Sequence, residues 1–107
     1  MAKVIIDPGV CGFEATVEAV SEDGMEVVLT VDSGCPAIMQ MFEDLGTTFD
    51  AFELVFAHPG ANPFYQYAAS HDFPQHGGCV TIAGIIKAVE ATCNLALPSN
   101  ASISFVA

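Results

Sequence analysis

Apolar and polar residues alternate strictly over two adjoining stretches of the chain. Phe13, Ala15, Val17 and Ala19 share one side against Glu14, Thr16 and Glu18. After Ser21-Glu22-Asp23-Gly24 the alternation resumes, with Met25, Val27, Leu29 and Val31 inward and Glu26, Thr30 and Asp32 outward. Val28 is the exception on the wet side. A period of two marks a half-buried strand, so the two stretches predict an antiparallel hairpin. Residues opposite each other share a face, so odd positions pair with odd positions. A three-residue turn, Glu22-Asp23-Gly24 with Gly24 left-handed in a bulge, pairs Ala19 with Val27, Val17 with Leu29 and Ala15 with Val31. Continued, that register sets Phe13 opposite Ser33 and Cys11 opposite Cys35; a five-residue turn sets Cys11 opposite Ser33 instead. Either way, two cysteines meet at the open end of the hairpin.

The flanking segments carry their own signals. Lys3 to Ile6 is a short apolar run stopped by Asp7-Pro8-Gly9, a strand and a turn. Ser33-Gly34-Cys35-Pro36 opens a helix with proline at its first position, Ile38, Met41, Phe42 and Leu45 form its stripe, and Gly46 ends it. Glu43 and Asp44 near its C-terminus oppose the helix dipole, which points to an acidic surface or a cation site. Phe49 to Ala57 suits a strand or a short helix equally. Asn62-Pro63 reads as a cap and first residue of a helix through Ser70, followed by a loop from His71 to Gly78.

His76 to Pro98 predicts the longest helix, with Ile82, Ile85, Ile86, Val89, Cys93 and Ala96 on one face and Lys87, Glu90 and Asn94 on the other. Ala101 to Val106 alternates again and predicts a last strand. Strands that need one covered face and helices with one apolar stripe make an α+β two-layer sandwich: a mainly antiparallel sheet of about four strands, covered on one face by two main helices. The 107 residues form one domain, 1–107.

Composition narrows the partners. Thirteen acids stand against Lys3 and Lys87, a formal charge of -11. That balance excludes nucleic acid and anionic membranes, which need clustered Lys and Arg, and it suits a basic partner or a bound cation. No apolar run reaches the roughly 18–20 residues that span a bilayer. The opening MAKVIIDPGV breaks at Asp7-Pro8, short of a secretory core, so a cytoplasmic protein with reduced cysteines is expected.

The four cysteines, at 11, 35, 79 and 93, contain no C-x-x-C pair. Cys35 and Cys79 each stand three residues before the first core position of a helix, Ile38 and Ile82. Free backbone N–H groups there favour a thiolate. Cys11 is brought to Cys35 by the hairpin. Provided the long helix starts near the hairpin's open end, the three make one site. As thiolates, Cys11, Cys35 and Cys79 could hold zinc or an iron–sulfur cluster, with His76 as fourth ligand and His58, His71 or Asp7 as substitutes. Alternatively, Cys11 and Cys35 are an attacking and a resolving cysteine. Burial as small apolar side chains accounts equally for each cysteine and is the better account of Cys93, on the core stripe. The aromatic middle, Phe49 to Tyr67, is expected to be core or a subunit contact.

Pro8-Gly9-x-Cys11-Gly12-Phe13, Ser33-x-Cys35-Pro36, and Cys79 followed by Gly84-Ile85-Ile86-Lys87-Ala88-Val89-Glu90 and Leu95-Ala96-Leu97-Pro98 together resemble a small uncharacterised family of prokaryotic proteins, a domain of unknown function. The resemblance covers nearly the whole chain and implies no activity. That family carries proline after the third cysteine, where this chain has Val80. His76-x-x-Cys79 is also similar, by analogy alone, to the OsmC-type thiol peroxidases, whose arginine this chain lacks. Three functions follow as expectations: a metal or iron–sulfur protein, a cysteine-based redox protein or thiol peroxidase, and a non-catalytic binding module or homodimer.

Overall fold

The alternating stretches fold as the pattern requires. In a computed structural model, which describes residues 1–70 and 78–106, they are strands β2 (Ala15–Val20) and β3 (Glu26–Ser33). β1 (Ala2–Ile6) lies outside β2, and β4 (Thr48–Asp50) lies outside β3. The sheet is a four-stranded antiparallel meander in the order β1-β2-β3-β4. Inward residues Ala15, Val17, Ala19, Val27 and Leu29 are buried, while Glu26, Thr30 and Asp32 face solvent.

The hairpin register differs from both expected ones. Ala19 pairs with Leu29, Val17 with Val31 and Ala15 with Ser33, a slip of two residues from the three-residue turn. Parity is kept, so the paired residues keep their faces, and alternation alone cannot detect such a slip. Phe13 and Met25, expected inward, lie outside the paired strands and are 43% and 59% exposed. The turn selects it. The Ser21 hydroxyl accepts from Gly24 N–H at 2.9 Å and donates to the Glu26 carbonyl at 2.6 Å. Asp23 accepts from the N–H groups of Met25 and Glu26, both at 2.9 Å. These bonds hold a longer loop than the sequence suggested. Gly24 has φ 75°, the left-handed geometry expected of it.

Among the described residues, four helices lie on the inward side of the sheet. α1 (Pro36–Leu45) follows β3 and packs back over it with Ile38, Met41 and Phe42 buried. Gly46, at φ 85°, ends it by donating to the Phe42 carbonyl at 2.9 Å. The ambiguous middle is both things at once. Phe49 lies in β4, and Asp50 then caps a one-turn helix α2 (Ala51–Val55), accepting from Phe52 N–H at 2.9 Å. A 3-10 turn at Pro59–Ala61 leads to α3 (Pro63–Ser70). Asn62 caps α3 as expected: its carbonyl oxygen accepts from Phe64 N–H at 2.9 Å, and its amide donates to the Leu54 carbonyl at 2.7 Å. Phe42, Phe49 and Phe64 meet edge to face, with centroids 5.1 to 6.1 Å apart.

The long helix is shorter than its pattern. α4 spans Thr81–Thr92 and packs on β1, β2 and α2. Neither Cys79 nor Val80 offers a capping oxygen, and Val80 stands at the N-cap without a side-chain bond. Asn94, at φ 57°, reverses the chain, and Leu95 N–H returns to the Glu90 carbonyl at 2.8 Å. Ala96, expected on the core stripe, is therefore exposed. Residues 101–106 are also not a strand. They make no sheet pairing, and Ile103 and Phe105 are 82% and 100% exposed. The α+β assignment and the four antiparallel strands hold; β4, not the chain's last segment, supplies the fourth.

Candidate functional site

Two contacts fix the direction of α4 on the sheet. The Thr92 hydroxyl donates to the Ala19 carbonyl at 2.8 Å, at the turn end of β2. Eight residues earlier, Gly84 lies against Ile6, which pairs with Ala15 at the opposite end. The N-terminus of α4 therefore points to the open end of the β2–β3 hairpin. Cys79, just before α4, lies toward that end. So do Cys35, just after β3, and Cys11, in the loop before β2.

The loop carrying Cys11 is built by its glycines. Asp7 accepts from Gly9 N–H at 3.0 Å, the Gly9 carbonyl accepts from Gly12 N–H at 3.0 Å, and Gly9 and Gly12 have φ 89° and 72°. Such angles disfavour any side chain. Cys11 is left exposed between them. Asp7 is thereby accounted for as a turn residue.

Cys35 is the corner between β3 and α1. Its N–H donates to Ser33 Oγ at 3.0 Å, and its extended φ of -79° and ψ of 113° suit a residue before proline. It is half-buried against the core. The observed register, continued, brings Phe13 and not Cys11 opposite Cys35. The Phe13 ring accordingly lies over Gly34, where an added Cβ would meet it at 3.1 Å. Cys11 is displaced two residues beyond the position expected of it.

Cys79 is half-buried, two residues ahead of α4 rather than in its first turn. Burial pushes the Tyr65 phenol above its ordinary value, and the Cys79 sulfur raises it further, so the two side chains lie within electrostatic reach. All four cysteines are free thiols, and Cys93 is 6% exposed in the core, as its place on the stripe predicts.

The three candidate cysteines thus share one end of the fold. They do not share one coordination sphere: among the described residues, no three His, Cys, Asp or Glu side chains group as a metal ion requires. The fourth candidate ligand, His76, lies outside the described residues, as does His71. His58 is an exposed residue preceding the 3-10 turn.

Two features escaped the sequence. Asp44, unfavourable to the α1 dipole, accepts from Gln40 Nε2 at 2.9 Å and from the Tyr67 hydroxyl. The Gln40 bond was legible from i,i+4 spacing; the Tyr67 bond, from another helix, was not. The second is the exposure of large apolar residues after α4, Leu97, Ile103, Phe105 and Val106. Their alternation was visible, but not that the sheet would leave them out.

Comparison with known proteins adds one match. A family of unknown function (DUF6951) matches residues 2–105. No curated protein and no solved structure matches the chain. Among the described residues, no helix is long and apolar enough to cross a membrane.

Proposed function

The chain belongs to that family of unknown function, and we propose that it works as a self-associating module whose segment after α4 joins two copies. One observation carries the reading. Ile103, Phe105 and Val106 are 82%, 100% and 93% exposed, although all but Val106 lie inside the span that defines the family. Burying one such side chain stabilises by about 1.5–3 kcal/mol, so a segment of three has a strong tendency to find cover. Light scattering over rising concentration tests this. A mass of twice the 11.2 kDa chain is expected, and a monomer at every concentration overturns the reading.

A second reading is favoured by the convergence of Cys11, Cys35 and Cys79 on one end of the sheet. In it these thiols, with His76, take zinc or an iron–sulfur cluster. Ligand geometry closes around the ion, because metal binding is coupled to folding and to loss of the thiol protons. Movement of the Cys11 loop toward Cys35 is what the reading requires. Metal analysis and an absorption spectrum of protein purified without oxygen decide it: metal-free, colourless protein of full stability removes it. The redox alternative is read by counting thiols before and after peroxide, and it fails if Cys11 and Cys35 never couple.

A further inference from the structure

The outer edge of β1 is the other half of the same anomaly. Val4 pairs with Val17 on the helix-covered face, yet Val17 is fully buried and Val4 only half-buried. Ala2 shows the same contrast with its partner Ala19. β1 pairs with β2 alone, so its outer N–H and C=O groups face no strand among the described residues. An open edge of this kind is a template for another strand.

We infer that residues 101–106 of one copy add as a strand to the β1 edge of a second copy, and that the exchange is reciprocal. This rests on the self-association reading and names its surfaces. Ile103 and Phe105 alternate with Ser102 and Ser104, the period of a strand with one wet face. Set beside β1 with Ile103 and Phe105 on the helix side, the segment covers Ala2 and Val4. The segment stands away from its own sheet, as the exposure of Ile103 and Phe105 shows. A two-fold exchange occupies both tails and both edges at once.

Charge selects this pair of surfaces over the others. Each copy carries -11, so approach through an acidic strand is opposed. The other edge of the sheet, β4, carries Asp50. The charged residue of β1 is Lys3, and from Leu95 to Val106 the chain has no charged side chain. The neutral segment and the strand bearing a lysine are the parts of two such chains that meet with least repulsion. Pairing through main-chain hydrogen bonds with alternate side chains inserted is an established mode of strand addition.

The test uses the full chain and a double variant, Ile103→Ser with Phe105→Ser, which adds no charge and alters only exposed residues. Sedimentation should give a dimer for the parent and a monomer with unchanged circular dichroism for the variant. A synthetic peptide of residues 99–106, titrated into isotope-labelled variant, should then shift the amide signals of Ala2 to Ile6. A variant that remains dimeric overturns the tail assignment and leaves self-association standing. A peptide that shifts other strands and spares β1 overturns the assignment of the β1 edge. A parent chain that is monomeric throughout overturns both.

Discussion

Gly84 lies so close over Ile6 that a Cβ added to it would stand 2.6 Å from Ile6 Cδ1 and 2.7 Å from Cγ1. This contact lets α4 sit directly on β1. Glycine costs a helix interior about 0.8–1 kcal/mol relative to alanine, so only the close approach explains its place here. Overpacking typically costs about 1–3 kcal/mol and outweighs that gain. Gly84→Ala should therefore lower stability by about 1 kcal/mol, read from the urea midpoint. Ile6→Ala alone should also destabilise, but the double variant should lose clearly less than the sum. Strict additivity would show that the contact does not govern the packing of α4.

Asn62 is 2% exposed and uses both ends of its amide, one to start α3 and one to hold the Leu54 carbonyl of α2. Asn62→Ala removes the cap and leaves that carbonyl buried without its partner. A lost cap costs about 1 kcal/mol, and a buried polar group left unsatisfied about 1–3. The sum should approach about 3 kcal/mol in chemical denaturation. A loss of only a few tenths would mean that water replaces the side chain and that α2 and α3 are not joined through it.

How much of the fold could be read from the chain differs from one element to the next. Asn62-Pro63 and Cys35-Pro36 were legible because a cap and a first-turn proline act through the local backbone. The faces of β2 and β3 were legible because period two is decided residue by residue. Their register was not, since a slip by two preserves every face and only the Ser21 and Asp23 side-chain bonds separate the alternatives. That slip moved Phe13 to the place expected of Cys11, and with it went the reading of a preformed cysteine pair. The placement of Cys79 at the open end rests on Gly84 meeting Ile6 and Thr92 meeting Ala19, contacts between distant segments. Residues 101–106 have a strand's pattern, but a strand also needs a neighbour, and sequence does not say which chain supplies it.

The turn that sets the register also predicts an acid effect. The N–H groups of Glu26 and then Met25 hold the Asp23 carboxyl below its ordinary value of 3.8. A depressed folded pKa adds stability above the unfolded value and loses it as pH falls through the folded one. Asp23→Asn should therefore be less stable than the parent near neutrality, with the gap closing in strong acid. Denaturation midpoints at the two pH extremes measure it. A gap that stays constant with pH would show that the charge of Asp23 has no part in holding the turn.

The tyrosines give a direct test of the proximity between Cys79 and Tyr65. Tyr67 is held above the ordinary 10.0 first by its hydrogen bond to Asp44, then by burial and the Asp44 charge. Tyr65 is raised first by burial and then by the electrostatic effect of Cys79. Raised pKa values mean stability fully present below the unfolded value and lost as pH climbs through the folded ones. In Tyr67→Phe, Tyr65 is the remaining tyrosine, and its tyrosinate absorbance should rise above the ordinary midpoint. Adding Cys79→Ser removes that electrostatic contribution, so the midpoint should fall while staying above that of an unfolded chain, because burial remains. An unchanged midpoint would place Cys79 out of reach of Tyr65. High salt should lower the midpoint of Tyr67→Phe toward that of the double variant, since screening weakens an electrostatic contribution and leaves burial untouched.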